Sequence, residues 1–249
     1  MSTATGFAYT PLDRNDDSIR LLQVSPTLSP NGNVVCSLQH VSVKSCGHYY
    51  ALSYIWGEDY VDVQPVLVDG EPVKITKNLE SFLQHARVSF SGTMLWIDAL
   101  CVDQQSIEER NHQVLLMRKI YAGARKVIVW LGYGDIAISQ LFCRLYRTDG
   151  SPFVAGGPQD YQELLEAVVV VVSFRYWSRL WIIQELLLGK SIQLVYGHDN
   201  LAWDDLWLGV EELVPNLPQT IKGSAAQKHR EQRAILKSSK ERALETSVS

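Results

Sequence analysis

Apolar residues change period along this chain, and the clearest change runs from Leu95 to Gly132. A short apolar run, Met94 to Ile97, stops at Asp98 and gives way to a polar loop that reaches Ser106. Ser106 stands three residues before Glu109, the spacing of a capping box, in which the hydroxyl accepts from the backbone N–H at 109 and the carboxylate reaches back to 106. Beyond it Val114, Met117, Ile120, Tyr121 and Ala124 recur at helical spacing, with Arg110, Gln113 and Arg118 between them. This predicts a helix with one apolar face, loosened at Gly123. Lys126 to Leu131 is then a near-continuous apolar run of strand length that ends at Gly132. Strand, helix, strand is a βαβ unit with a right-handed crossover. Strands covered on both faces lose their polar alternation, as these two have.

The same reading extends outward. Residues 18 to 24 and 33 to 41 are strand-like runs on either side of the Pro26 to Gly32 turn cluster, and they predict an N-terminal ribbon. Tyr49 to Trp56 is a core strand ending at Gly57. Val66 to Val68 and Val73 to Ile75 flank Asp69-Gly70, a hairpin signal, and are expected as an insertion outside the βαβ series. Asn78 is placed to cap a helix running to Ala86. After Gly132-Tyr133-Gly134 a helix is expected to about Tyr146, followed by a loop from Gly150 to Pro158. Tyr161 to Ser173 carries both signals, five valines against a helical lead-in, and is assigned as helix. Ser178 to Leu188 is apolar nearly all round, so it predicts a buried helix. Ile192 to Tyr196 reads as a strand and Leu201 to Leu213 as a helix. Alternating strands and helices give an α/β class: an open parallel sheet with helices on both faces, plus the ribbon and the hairpin insertion. The expected division is residues 1–48 as ribbon, 49–214 as the α/β core and 215–249 as a tail, helical or disordered, at a junction to a longer protein.

Composition narrows the partners. The net charge of −4 over 249 residues gives no basic face for nucleic acid. From residue 222 onward seven Lys/Arg stand against three Asp/Glu, so a basic tail follows a domain that carries −8. Cys36, Cys46, Cys101 and Cys143 show no paired spacing, which points to reduced thiols rather than a zinc site or a disulfide framework. With no apolar leader and no run of membrane-spanning length, a soluble cytoplasmic protein is expected.

In an open sheet, ligands bind beyond the carboxyl ends of the strands. The residues at those ends are Ser53, Tyr54, Trp56 and Gly57, then Asp98, then Gly132. The plain alternative is that Asp98 caps a loop and Trp56 is a core aromatic. Gln184-Glu185 is the stronger oddity, because a carboxylate inside a buried helix needs a partner or a cleft. Trp181 lies four residues earlier on the same helical face. A structural ion pair of Glu185 with Arg175 or Arg179 is the competing explanation. Cys101 with His112 is a remote thiol–base pair, and Gly132-Tyr133-Gly134 lacks the third glycine of a dinucleotide loop.

Four blocks, YYALSYIWG (49–57), LWIDALCVDQ (95–104), ERNHQVLLMRKIYAGARKVIVWLG (109–132) and RYWSRLWIIQEL (175–186), resemble in order the fungal HET domain, named for heterokaryon incompatibility. HET domains are similar in turn to TIR domains, flavodoxin-like modules, and Trp181 to Leu186 matches the W-x-x-x-E-L pattern whose Glu is catalytic in TIR domains that hydrolyse NAD+. The resemblance implies a TIR-like fold and a role in non-self recognition and regulated cell death. It also implies Glu185 as the catalytic residue, with NAD+ as a substrate rather than a cofactor. Ser53, Tyr54, Trp56, Gly57, Asp98 and Trp181 would then bind the substrate, with Arg179 and Gln184 as donors that keep Glu185 ionised. Self-association on activation and other death-signalling proteins as partners follow from the same likeness. A non-enzymatic, self-associating module is the alternative it leaves open.

Overall fold

A computed structural model of the chain describes residues 7–57, 65–145, 157–178, 185–186 and 188–213. Among the described residues nine strands form one mixed sheet: β1 (Ser18–Val24), β2 (Val35–Ser42), β3 (Tyr49–Tyr54), β4 (Val66–Val68), β5 (Glu71–Val73), β6 (Met94–Trp96), β7 (Lys126–Trp130), β8 (Ile192–Tyr196) and β9 (Asp199–Ala202). Their order is β5-β4-β2-β1-β6-β3-β7-β8-β9. Among the described residues the helices are α1 (Lys77–Ser89), α2 (Asp98–Cys101), α3 (Ile107–Gly123), α4 (Ile136–Leu145), α5 (Pro158–Val172) and α6 (Trp203–Leu213), and Glu185 and Leu186 are also helical.

The centre of the sheet is parallel: β6, β3, β7 and β8 all run the same way. Numbered by their appearance in the chain, these four stand in the order second, first, third, fourth. The connection leaving β3 therefore goes to one side and the connection leaving β6 returns on the other, which opens a crevice at the carboxyl end of β3. Strand alternation separates the two faces. Tyr49 donates from its hydroxyl to Ile120 O of α3, at 2.5 Å, so Tyr49, Ala51 and Ser53 face α3. Phe82 of α1 packs edge-on to Trp130, the partner of Tyr54 in register, so Tyr50, Leu52 and Tyr54 face α1.

The ribbon and the hairpin are both present, and both are members of this sheet rather than appendages. β1 pairs with β2 along its whole length and with β6 at Leu22 and Gln23, both antiparallel, while β2 pairs parallel with β4. That placement explains why β1 is buried at every position but Gln23: it is an interior strand, covered on both faces. Asp69 and Gly70 carry φ of 51° and 90°, the left-handed pair that a two-residue hairpin turn requires.

Three local expectations are corrected. Thr76, not Asn78, caps α1, its hydroxyl accepting from Leu79 N. Asn78 instead donates to Ile55 O at 2.6 Å and accepts from Trp130 Nε1 at 2.9 Å, tying the helix start to the ends of β3 and β7. Only half of the capping box forms, since Ser106 Oγ accepts from Glu109 N while the Glu109 carboxylate turns away to Arg20 and to Asp103 N. A fully charged partner outbids a backbone N–H for that carboxylate. The run from Leu201 is split: Asp199–Ala202 pairs antiparallel with β8, and the helix starts at Trp203. The valine-rich segment is helical, as α5. The loop at 150–158 falls mostly outside the described residues, and the tail from 215 wholly so.

Candidate functional site

β3 delivers Ser53 to the α3 face of the sheet at its carboxyl end, and the chain then leaves through Gly57, whose φ of 72° suits a residue without a Cβ. β6 delivers Trp96 and, just beyond it, Asp98. Between them lies a cleft of about 740 Å3, walled by α3 on one side and closed by Arg175 and Glu185. Arg110, Gln113, Val114 and Met117 line it, an i, i+3, i+4, i+7 stripe of α3. This corrects the apolar face expected for that helix. Leu116, Ile120 and Tyr121 pack inward, whereas Val114 is 46% exposed and belongs to the cleft.

Glu185 is 2% exposed and sits among the residues that close this cleft. Ser53 donates its hydroxyl proton to Glu185 Oε2. Because Ser53 has a single proton, its 2.5 Å contact with Tyr176 must be a bond donated by the phenol. The result is a relay, Tyr176 to Ser53 to Glu185, in which each hydroxyl stabilises negative charge on the carboxylate. A run of aromatic contacts holds Tyr176 in place: its ring meets Trp177 edge-on, Trp177 meets Trp203, and Trp203 meets Trp207 of α6. On the other side, Gly189 allows the Glu185 segment to lie against β7. A Cβ there would stand 2.7 Å from Val127 Cγ2 and could not be accommodated without movement.

Asp98 does two jobs. Its Oδ1 accepts from Ala99 N at 2.8 Å and its Oδ2 accepts from Trp56 Nε1 at 2.9 Å. The first is a contact with the adjacent N–H and not a cap, since Asp98 is the first residue of α2 and its N-cap is Ile97; the second holds the Trp56 ring at the cleft mouth. Trp56 is 42% exposed, which excludes the core-aromatic reading. Tyr54, one residue along from Ser53, points to the opposite face and lines a neighbouring cleft of about 570 Å3 with Thr76 and Leu79 of α1. Trp56 and Gln104 line both clefts.

The structure thus brings Ser53, Trp56, Gly57, Asp98 and Glu185 together and leaves Tyr54 on the other side of the sheet. Trp181, Arg179 and Gln184 lie outside the described residues. Sequence reasoning missed Tyr176, which is 123 positions from Ser53 and carries no local signal. It also missed the α3 wall, whose signal was present in Arg110 and Gln113 interrupting an apolar helix. The pairing of Cys101 with a base is excluded: Cys101 is fully buried, and burial pushes its thiol up to about 12. Among the described residues no group of three or more His, Cys, Asp or Glu could hold a metal ion, and no helix is long and apolar enough to cross a membrane.

The chain is 33% identical over 146 residues to heterokaryon incompatibility protein 6, OR allele, of Neurospora crassa. The match takes in 53% of this chain and 22% of that protein, so the chain spans under a quarter of the relative's length. No solved structure matches it. The model of the heterokaryon incompatibility (HET) family matches residues 49–185, from the first residue of β3 to the buried carboxylate. More than half of the sequence lies within that match, and the chain belongs to the HET family.

Proposed function

We propose that this HET domain is a cell-death effector in fungal non-self recognition and that its cleft hydrolyses NAD+ to nicotinamide and ADP-ribose. The observation that carries the reading is Glu185: a carboxylate withdrawn from water, at a ligand crevice, with hydroxyls arranged to keep it charged. The order of the four parallel strands, second-first-third-fourth, is also that of flavodoxin-like sheets and supports a TIR-like core.

The chemistry suits a single carboxylate. The glycosidic bond between ribose C1′ and the nicotinamide nitrogen breaks with its electron pair going to the ring, which leaves neutral and needs no general acid. Positive charge builds on the ribose as an oxocarbenium ion, and Glu185 stabilises it electrostatically. Water then adds at C1′ and gives up a proton. Trp56, fixed by Asp98, offers a ring at the cleft mouth for stacking.

The relay also favours a second reading, in which Tyr176, Ser53 and Glu185 are a buried structural network and the domain signals by self-association with itself and other death-signalling proteins. Purified protein, free and fused to a forced oligomer, is incubated with NAD+ while nicotinamide is measured. Release that rises on clustering supports the hydrolase. A clustered protein that releases none, yet kills fungal cells on expression, supports the signalling module.

A further inference from the structure

The α3 wall of the cleft holds a cation that the relay does not use. Arg110 lines the cleft in the first turn of α3, and its guanidinium makes no hydrogen bond or ion pair among the described residues. One turn on, Gln113 is 2% exposed and donates from Nε2 to Ser18 O at 3.0 Å, while its Oε1 has no hydrogen-bond partner among the described residues. Buried polar atoms are rarely left unmet, so an unpartnered acceptor in a cleft wall marks a place for a donor from outside the chain. Trp96, on the same cleft, likewise has a buried Nε1 without a partner. Arg175 adds a second guanidinium to the lining.

The charges of the cleft therefore come in two kinds, carboxylates from Asp98 and Glu185 and guanidiniums from Arg110 and Arg175. A ligand complementary to both carries a cationic part and an anionic part. Arginine's planar fork matches phosphate oxygens in pairs, and an arginine without a carboxylate partner is available for them.

We propose that Arg110 is the anchor of a diphosphate subsite in this cleft, with Gln113 Oε1 accepting from a ligand hydroxyl or amine beside it, so that the cleft selects nucleoside diphosphates over nucleosides. That the diphosphate belongs to NAD+ rests on the hydrolase reading. The subsite itself does not, because it is defined by the α3 wall. It makes Arg110 a residue of substrate affinity, acting at the opposite end of the ligand from Glu185.

The test is calorimetric binding of ADP and of adenosine to the intact protein, alongside Arg110→Gln and Arg118→Gln. Both arginines are exposed on α3, but only Arg110 lines the cleft, so the second variant removes the same charge from the same helix outside it. The parent should bind ADP about tenfold or more tighter than adenosine, the scale of a charged hydrogen bond. Arg110→Gln should erase most of that preference, and Arg118→Gln should keep it. Equal binding of ADP and adenosine by the parent, or equal loss in both variants, would overturn the proposal. The outcomes separate it from the hydrolase reading. ADP held through Arg110 without any NAD+ cleavage leaves the subsite and removes the hydrolase. NAD+ cleavage with a KM indifferent to Arg110→Gln does the reverse.

Discussion

Arg20 on β1 is 1% exposed and gives the sharpest stability prediction. Its guanidinium donates to both carboxylate oxygens of Glu109, at 2.5 and 3.1 Å, to Cys101 O at 3.1 Å and to Thr10 O at 2.6 Å, and it lies 4.7 Å from the centre of the Tyr9 ring. These bonds lock β1, the strand next to the parallel core, to the start of α3 and to the last residue of α2, which are the supports of the cleft wall. Glu109→Gln keeps the shape but leaves a buried guanidinium facing an amide whose NH2 is another donor. Breaking a buried pair from one side costs about 3–5 kcal/mol, and the 12% exposure of Glu109 places the cost near the lower figure. With a urea slope of about 2–3 kcal/mol per M, the midpoint should fall by about 1 M. The double variant Arg20→Met, Glu109→Leu should recover much of the loss, since no charge is then stranded. The exposed Lys119–Asp17 contact is the control, and Asp17→Asn should leave the midpoint unchanged within error. A Glu109→Gln midpoint equal to that of the parent would refute the view that this pair clamps the wall.

Acid should act through the same carboxylate. Burial alone would raise the Glu109 carboxyl, but hydrogen bonds from Arg20 and Asp103 N and the Arg20 charge outweigh it and hold the group below its ordinary 4.5. Stability from the pair is therefore complete above that value and is lost as pH falls through the lower folded-state one; in Glu109→Gln this part of the acid dependence should vanish from thermal melts. Ser106→Ala removes the hydroxyl that accepts from Glu109 N and should cost about 1 kcal/mol in chemical denaturation. Gly189→Ala should cost about 1–3 kcal/mol by overpacking against Val127 and should also lower any nicotinamide release, because it displaces the Glu185 segment from Ser53. A variant as stable as the parent would mean that the segment has room to move.

How much of this was legible follows from which interactions are local. The β6–α3–β7 unit was legible because Ser106, the apolar spacing and the strand run lie within forty residues of one another. The Asp69-Gly70 turn was legible for the same reason: two adjacent residues determine it. The sheet order was not, because nothing in residues 18 to 24 says that their partners are residues 36 to 42 on one edge and Leu95 on the other. Arg20 shows the limit most clearly. Its partners are 10, 81 and 89 positions away, so a charge inside a strand reads as a surface residue until the fold supplies Glu109. Glu185 was legible as an anomaly, a carboxylate in an apolar helix, but the hydroxyls that tolerate it come from 132 positions away and from the turn Arg175–Ser178, where Tyr176 gives no sign of its contact with Ser53.

Whether Glu185 is catalytic is read from nicotinamide release from NAD+ by clustered Glu185→Gln protein, set beside the parent and beside the melting curve of each. Glutamine keeps an oxygen for the Ser53 proton, so the relay and the fold should survive and the two melts should coincide. It removes the charge that the oxocarbenium ion would feel, so release should fall by about 10²–10³-fold, the cost of removing one electrostatic stabiliser from such a site. A folded Glu185→Gln protein that releases nicotinamide at the parent's rate would remove Glu185 from the chemistry and leave it a structural carboxylate in a cleft with another purpose.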